Sequence, residues 1–348
     1  MHQTQDQLRP KISIVAPCYN EEESLREFHA RASAACSALT SSYEIVLVDD
    51  GSKDQTWRII ESLADASPNV VGVRLLRNHG HQLAATAGLH VAKGERVMLI
   101  DADLQDPPEL LDQMMRLMDA GADVVYGQRA SRDGESVFKL VTAGLFYRLL
   151  SRLTSVPIPR DTGDFRLMSR RIVDLFMLMP ERQRFIRGMV SWIGGNQVAL
   201  PYERQARFAG TTKYPLKKMI RFAVDAITSF STVPLRIAAW VGMVTAGLAM
   251  VMLVYTLWQW SHNSVVAGWS SLMTAITLFG GLQLLVLGVL GEYLGRLVND
   301  SKNRPLFIID SIRAGRNAYQ VPSEFSALNP SMREDVVASW TPRNPVRA

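Results

Sequence analysis

The chain has 348 residues, of which 47% are hydrophobic, and a formal net charge of +5. That length holds one large domain plus something extra. So modest a charge singles out no partner by itself, and nothing in it calls for nucleic acid. Cys18 and Cys36 are the only cysteines; a cytoplasmic domain keeps both reduced, so they read as packing residues.

The first nine residues are polar, show no signal-peptide pattern, and are expected to be disordered. Lys11 to Ala16 is apolar and β-branched and predicts a first strand. Asn20-Glu21-Glu22-Glu23 opens a helix to about Leu39, with acidic residues at its positive end. Tyr43 to Val48 predicts the second strand, ending at Asp49-Asp50-Gly51-Ser52. A helix from about Asp54 to Ala64, a strand from Val70 to Leu75, a helix from Gln82 to Ala92 and a strand from Arg96 to Ile100 follow. Pro107 and Pro108 sit where a helix can start, and Glu109 to Ala120 continues it. Val124 to Gly127 is one more strand. Alternation of this kind implies a largely parallel, doubly wound sheet. The first strand leads into Pro17-Cys18-Tyr19-Asn20, not a Gly-x-Gly-x-x-Gly turn, and no Gly-Lys-Ser/Thr phosphate loop occurs. The dehydrogenase and P-loop patterns are thereby excluded.

From Ile237 to Gly291 there is no Asp, Glu, Lys or Arg. A membrane span needs roughly 20 apolar residues, and two stretches reach that length: Leu235 to Trp258, and Trp269 to about Leu290, whose helix can continue to Leu297. Ser261-His262-Asn263-Ser264 is a polar break between them. The competing expectation is a pair of buried core helices. Lys217, Lys218, Arg221 and Arg236 precede the pair, Arg296, Lys302 and Arg304 follow it, and the loop between carries no Lys or Arg. The positive-inside rule then puts both termini in the cytoplasm, and Trp258, Trp260 and Trp269 mark the outer boundary. Ser136 to Leu153 and Leu216 to Phe230 each set an apolar stripe beside Lys and Arg. Each predicts an amphipathic helix, lying in the membrane interface or packed on the sheet; the second leads straight into a span and is expected in the interface. Pro305 to Ile309 predicts a short strand, and the remaining tail is polar.

Asp101-Ala102-Asp103-Leu104-Gln105-Asp106 directly follows the predicted strand Arg96–Ile100. Two carboxylates two residues apart, with an amide two further on, present hard oxygen donors at a strand's carboxyl end, where open α/β sheets bind ligands. Such donors suit Mg²⁺ or Mn²⁺, whose coordination substrate phosphates usually complete. The local expectation is a metal–diphosphate site. His79 and His81 invite a zinc reading, but no third nitrogen or sulfur ligand stands near them. His81 reads instead as opening a helix near the nucleotide.

Pro17-Cys18-Tyr19-Asn20-Glu21, Val48-Asp49-Asp50-Gly51-Ser52, Asp101 to Glu109, Thr162-Gly163-Asp164-Phe165-Arg166-Leu167 and Gly210-Thr211-Thr212-Lys213-Tyr214 occur in that order. Together they resemble the polyisoprenyl-phosphate glycosyltransferases, the dolichyl-phosphate mannose synthase-like branch of glycosyltransferase family 2, over residues of about 10 to 310. The resemblance implies an α/β fold: a GT-A type, mostly parallel sheet domain followed by a two-helix transmembrane hairpin. Residues 10–215 would form the cytoplasmic catalytic domain, with an amphipathic helix near 136–153. Residues 216–234 would be a juxtamembrane amphipathic helix, 235–298 the two spans (about 235–258 and 269–291), and 299–348 a cytoplasmic strand and tail. The resemblance also assigns roles. Pro17, Tyr19 and Glu21 would line the nucleotide pocket, and Asp50 would accept hydrogen bonds from the nucleoside. Asp101, Asp103 and Gln105 would hold the metal and the diphosphate, Asp103 foremost as a direct ligand, Asp101 directly or through water or nucleoside; Ala102 would lie against the nucleotide sugar. Arg129 would face the same pocket, and Arg207 and Lys213 would form a basic pair on a loop over the diphosphate. Asp164 would be the catalytic base or the orienter of the acceptor, beside Asp103 as the other catalytic candidate. The residues alone also allow plainer readings: Asp49-Asp50 as a turn before a helix, Arg129 as a solvated loop arginine, Asp164 as the cap of a helix from Phe165 onward. Arg182, Arg184 and Arg187 would contact lipid phosphate or form a basic membrane-facing surface.

The implied activity is metal-dependent, inverting transfer of a sugar from a nucleotide diphosphate sugar to a polyprenyl phosphate, making a lipid-linked sugar donor for cell-envelope glycan or lipid modification. For a bacterial source the donor would be UDP-linked and the acceptor undecaprenyl phosphate. Mg²⁺ or Mn²⁺, with Arg207 and Lys213, would stabilise the departing diphosphate. The enzyme would be integral to the inner membrane, with its catalytic domain and both termini cytoplasmic, and would form a homo-oligomer. Two competing readings are a processive polysaccharide synthase, which would carry Gln-x-x-Arg-Trp and more spans, and an inactive nucleotide-sugar-binding membrane scaffold, against which the intact acidic motif speaks.

Overall fold

The computed structural model describes residues 9–129, 162–204, 233–261, 268–302, 304–315 and 317–320. The amphipathic segments predicted at 136–153 and 216–230, the polar break after Ser261, Arg207, Lys213 and the tail beyond residue 320 lie outside the described residues. The described residues fall into two compact units, a sheet with its covering helices and a pair of apolar helices.

The sheet is built on β1 (Ile12–Cys18), β2 (Tyr43–Asp49), β3 (Val70–Leu75) and β4 (Arg96–Leu99), all parallel, in the order β4-β1-β2-β3. All seven residues of β1 are buried, as expected of a strand covered on both faces. The crossovers are α1 (Leu25–Ser37), α2 (Thr56–Ala66) and α3 (His81–Val91); a 3₁₀ turn at Pro108–Leu110 leads into α4 (Leu111–Asp119). Helix α1 buries Leu25, Phe28, Ala32 and Cys36, one stripe at helical spacing. Helix α3 buries small residues from Ala84 to Gly88. They let it lie close on the sheet: a Cβ on Gly88 would collide with Val15 and Val48.

Beyond β4 the pattern changes. β5 (Val124–Arg129) does not pair with β4; β6 (Thr162–Ser169) stands between them, antiparallel to both. Helices α5 (Arg170–Leu178) and α6 (Ile186–Ile193) lead to β7 (Gln197–Tyr202), parallel to β5. Because β6 runs the other way, its first residues lie beside the last residues of β4 and β5. That reversal brings Asp164 to the sheet's carboxyl edge. Asp164 is therefore a strand residue, and the plainer reading of a helix cap for Phe165 is corrected.

On the far side of the sheet, β8 (Ile309–Ala314) pairs antiparallel with β3, and β9 (Asn317–Gln320) with β8. The strand expected at Pro305–Ile309 is displaced toward the C-terminus. Leu306 and Phe307 are buried without strand pairing, and the Leu76 N–H donates to the Ile308 carbonyl at 3.0 Å where pairing begins. Across the described strands the order is β7-β5-β6-β4-β1-β2-β3-β8-β9.

The second unit holds α7 (Val233–Ser261) and α8 (Trp269–Ser301), which pack on each other. Both are long and apolar enough to cross a membrane. Their large side chains point outward: Trp240, Val251, Leu284 and Leu287 are each more than half exposed. A pair of buried core helices would show the opposite, so that competing expectation is corrected.

Candidate active site

The site grows from the carboxyl ends of β1, β2 and β4 and from the amino end of the antiparallel β6. Between β1 and β2 two loops are laced together. The Asp50 N–H donates to the Cys18 carbonyl (2.9 Å), Asn20 N–H to Ser52 Oγ (3.0 Å), and Lys53 N–H to Asn20 Oδ1 (2.9 Å). Pro17 is buried and Tyr19 exposed at the end of β1. Glu21 ties down the start of α1, its N–H on Thr56 Oγ1 (2.9 Å) and its carboxylate accepting from Ser24 Oγ (2.8 Å). Asp50 accepts backbone N–H bonds from His79 (2.7 Å) and Gly80 (2.9 Å), one on each oxygen. It thus holds the turn that opens α3 and presents His81. Gly51, at φ +66, passes so near this turn that a Cβ would stand 2.7 Å from Asn78 N.

Past β4 the chain enters Asp101–Asp106. Leu104 is buried yet has φ +61, a left-handed conformation costly for a leucine. That reversal folds the loop back, and the Gln105 N–H donates to Asp103 Oδ1 at 3.1 Å. Asp103 is buried, Ala102 is buried beside it, and Gln105 is half-buried. Asp101 Oδ1 is buried without a hydrogen-bond partner. Burial pushes the Asp101 carboxyl up to about 6; nearby His81 opposes the rise, while Asp164, Asp106 and Asp103 add to it. Asp106, at the loop's end, accepts a bond from the Tyr202 hydroxyl and lies 3.6 Å from Arg204 Nε. Arg129 reaches the same pair: it interacts with Asp106 and Tyr202, and a Cβ on Gly163 would sit 3.3 Å from its Nη2.

Asp164 has the opposite surroundings. His81 Nε2 lies 3.2 Å from Asp164 Oδ2 and 3.4 Å from Asp101 Oδ1. Gln82 Nε2 donates to Asp164 Oδ2 at 2.6 Å, and Arg187 Nε to Oδ1 at 3.0 Å. Arg187 also donates to the Thr162 carbonyl at 2.7 Å. Burial alone would raise the Asp164 carboxyl, but the charge of Arg187 and the hydrogen bond and charge of His81 hold it well below the usual carboxylate range. Burial disfavours charge on His81 too; the hydrogen bond to Asp164 and the charges of Asp101 and Asp164 outweigh it and lift the imidazole to about 9. Beneath them Arg166 is buried and bonds the Asp164 and Gly163 carbonyls at 3.3 and 3.2 Å.

The structure thus brings Asp101, Asp103, Gln105 and Asp164 to one edge of the sheet, gives work to Asp106 and Arg166, which stand in the quoted motifs without an assigned role, and adds Gln82 and Tyr202, which the sequence did not single out. No contiguous motif marks Gln82 or Tyr202. Two of the three arginines read as lipid contacts turn inward. Arg187 faces Asp164, and Arg184 is buried, donating to the Phe176 and Met179 carbonyls (3.0 and 2.7 Å) at the end of α5. Arg184 closes a helix and is removed from that surface. Arg182 bonds the Arg304 carbonyl.

Among the described residues no group of three or more His, Cys, Asp or Glu side chains is placed to hold a metal ion by itself. Asp101 and Asp103, with the Gln105 amide, still fit a hard cation that takes its other ligands from phosphate and water. The Asp101 oxygen, which makes no hydrogen bond and only a 3.4 Å ion pair with His81, is the feature such an ion would satisfy.

Comparison with known proteins adds a family signature. The Glycosyl transferase family 2 model matches residues 13–176, and the GtrB C-terminal hairpin model matches residues 233–297. The uncharacterized glycosyltransferase YkcC of Bacillus subtilis is 45% identical over 300 residues, covering 86% of this chain and 93% of that one. The prophage bactoprenol glucosyl transferase homolog of Escherichia coli is 40% identical over 307 residues, covering 87% and 99%. The bactoprenol glucosyl transferase of Shigella phage SfII is 40% identical over 309 residues, covering 88% and 99%.

Proposed function

Because the chain belongs to glycosyltransferase family 2, we propose that this glycosyltransferase moves a hexose from a nucleotide diphosphate sugar to a polyprenyl phosphate. Relatives named bactoprenol glucosyl transferase make UDP-glucose and undecaprenyl phosphate the first pair to test. The hairpin model over α7 and α8 supports membrane association; we place the enzyme in the inner membrane with both termini cytoplasmic, as a homo-oligomer. The observation that carries the reading is the edge where a hard-oxygen loop, with a buried oxygen that makes no hydrogen bond, meets the side chains of His81 and Arg187.

Asp101, Asp103 and Gln105 would hold Mg²⁺ or Mn²⁺. When bound, such an ion supplies charge neutralisation for a departing diphosphate. Pro17, Tyr19, Glu21, Asp50 and Ala102 would shape the nucleoside side of the pocket, Asp50 by ordering the 78–80 turn. Arg207 and Lys213 would cover the diphosphate. The acceptor is a phosphate oxygen already largely ionised near neutral pH. Its lone pair forms the new bond to the anomeric carbon as the bond to the diphosphate breaks. The electron pair leaves with the nucleotide diphosphate, and no proton need be removed. Placement therefore matters more than base strength. Asp164, already accepting from His81, Gln82 and Arg187, is suited to orient these groups and not to take a proton. Attack opposite the leaving group inverts the anomeric centre.

The test is transfer of radiolabelled glucose from UDP-glucose into solvent-extractable lipid by the full-length chain, with undecaprenyl phosphate and Mg²⁺ or Mn²⁺. Lipid-dependent UDP release is expected. UDP release that ignores the lipid, or a labelled product that stays in water, overturns the acceptor assignment.

A further inference from the structure

Gln82 begins α3 beside His81, and both ends of its amide are committed. Its Oε1 accepts the backbone N–H of Ile186 at 3.0 Å, and its Nε2 donates to Asp164 Oδ2 at 2.6 Å. The orientation is forced. A backbone N–H can only donate, so the carbonyl end must face Ile186 and the NH₂ end must face the carboxylate. Ile186 opens α6, whose next residue is Arg187, the donor to the other Asp164 oxygen. One side chain thus joins three elements: α3, which carries His81; β6, which carries Asp164; and α6, which carries Arg187. Thr86, one turn along α3, is fully buried and bonds the Gln82 carbonyl at 2.7 Å, fixing the helix from which the amide projects.

We propose that Gln82 is a positioning residue for sugar transfer: its amide holds Asp164 as an acceptor-only carboxylate and sets α6 so that Arg187 and His81 flank it at working distance. The inference deepens the proposed function and rests on that reading for its assay. An amide at this position gives Asp164 Oδ2 a donor that never titrates, beside the titratable imidazole of His81 on the same oxygen.

The test compares the wild-type full-length chain with Gln82→Glu and Gln82→Met, all measured for kcat, for KM of UDP-glucose and for thermal midpoint. Gln82→Glu keeps the shape and the acceptor for Ile186, but it turns an oxygen toward Asp164. It is expected to fold and to lose kcat by about a hundredfold with KM little changed, since small misplacements cost that much. The loss should shrink toward low pH, where the introduced carboxyl takes up a proton and again offers a donor between Asp164, His81 and Arg187. Gln82→Met, which leaves Asp164 one donor short without adding charge, should lose about tenfold. A residue that merely tied helices together would give the reverse order, because the Gln82→Glu variant keeps the Ile186 bond and Gln82→Met does not. Gln82→Glu with near wild-type kcat, or Gln82→Met as the worse variant, overturns the proposal. Should the wild type prove inert with these substrates, the substrate reading fails, and the premise of the proposal, a Gln82 amide coupled to Asp164, is tested by stability. Additive thermal midpoints for Gln82→Met, Asp164→Asn and the double variant overturn it, and non-additive ones sustain the coupling.

Discussion

Asp101 and Asp164 approach the same imidazole nitrogen of His81, at 3.4 and 3.2 Å, from two strands that run in opposite directions. The loop after β4 leaves Asp101 with a buried oxygen that nothing bonds, and its carboxyl rises to about 6. The start of β6 gives Asp164 three side-chain donors, and its carboxyl falls. An acid that makes no hydrogen bond and only a loose ion pair has coordination capacity left for a ligand. An acid saturated by donors has none, and it organises the groups around it. The contrast divides the edge into a ligand-facing half and a scaffold half.

The largest effect should fall on the ligand-facing half. Asp103→Ala removes a hard oxygen donor from the loop, and kcat/KM is expected to drop about a thousandfold, several kcal/mol of lost charge stabilisation. Thermal midpoint should fall only slightly, because losing the Gln105 N–H bond is offset by relief of the crowding with Asp101 and Asp106. A chelator should silence the wild type to the same extent, with Mn²⁺ or Mg²⁺ restoring it. A variant that keeps substantial transfer would remove Asp103 from the metal loop.

The next pair of variants sets the halves against each other. Asp164→Asn leaves Arg187 facing a neutral amide in a buried setting, and breaking such a pair costs about 3 kcal/mol of stability. Asp101→Asn relieves repulsion from Asp103, Asp106 and Asp164 and the desolvation of a charge without hydrogen bonds, against the loss of its 3.4 Å ion pair with His81, so its stability should change little. Chemical denaturation of both in one detergent decides it. Equal losses would erase the division drawn here.

That division shows where the sequence is legible. Strands β1 to β5 announce themselves because burial on both faces demands nearly unbroken apolar runs, and the acidic loop is legible because its ligating atoms are contiguous. β6 is hidden, since Asp164 and Arg166 interrupt its pattern. Both are nonetheless buried, made tolerable by partners that only the folded chain supplies. β8 is hidden for a related reason: Asp310, Ser311 and Arg313 read as loop, yet the strand is completed by pairing to β3. Gln82, Tyr202 and Arg187 join the site through a strand reversal that no local spacing encodes. Arg184 shows the converse error, because a cluster of arginines in sequence does not say which of them the core claims.

Tyr202 probes the join between the halves. Its hydroxyl bonds buried Asp106, and its ring meets Phe165 edge-on at 5.6 Å between centroids. Tyr202→Phe keeps the ring and strips one donor from a buried carboxylate, a cost of about 1–3 kcal/mol. Asp106 keeps Arg204 at 3.6 Å, so the lower end is expected. Tyr202 closes β7 just before the segment that carries Arg207 and Lys213. The variant should therefore raise KM for the nucleotide sugar more than it lowers kcat. A pure kcat effect would assign the Asp106 bond to the scaffold half instead.

The smallest effect calibrates the rest. Glu109 follows the acidic loop and takes a two-pronged bond from Arg31, at 2.7 and 2.8 Å. The hydrogen bond lowers its carboxyl, as the Arg187 charge lowers Asp164, but Glu109 is 53% exposed. Screening by water and salt leaves such a pair about 0.5 kcal/mol. The sign follows from the lowered acid. The contribution is complete above the unfolded-state value of about 4.3, and it is lost as pH falls through the lower folded-state value. Glu109→Gln should therefore cost about 0.5 kcal/mol near neutral pH, less in high salt, and nothing in acid. If Asp164→Asn showed the same small, salt-sensitive loss, the Asp164 cluster would be no more than a surface ion pair, and the scaffold half would have no separate standing.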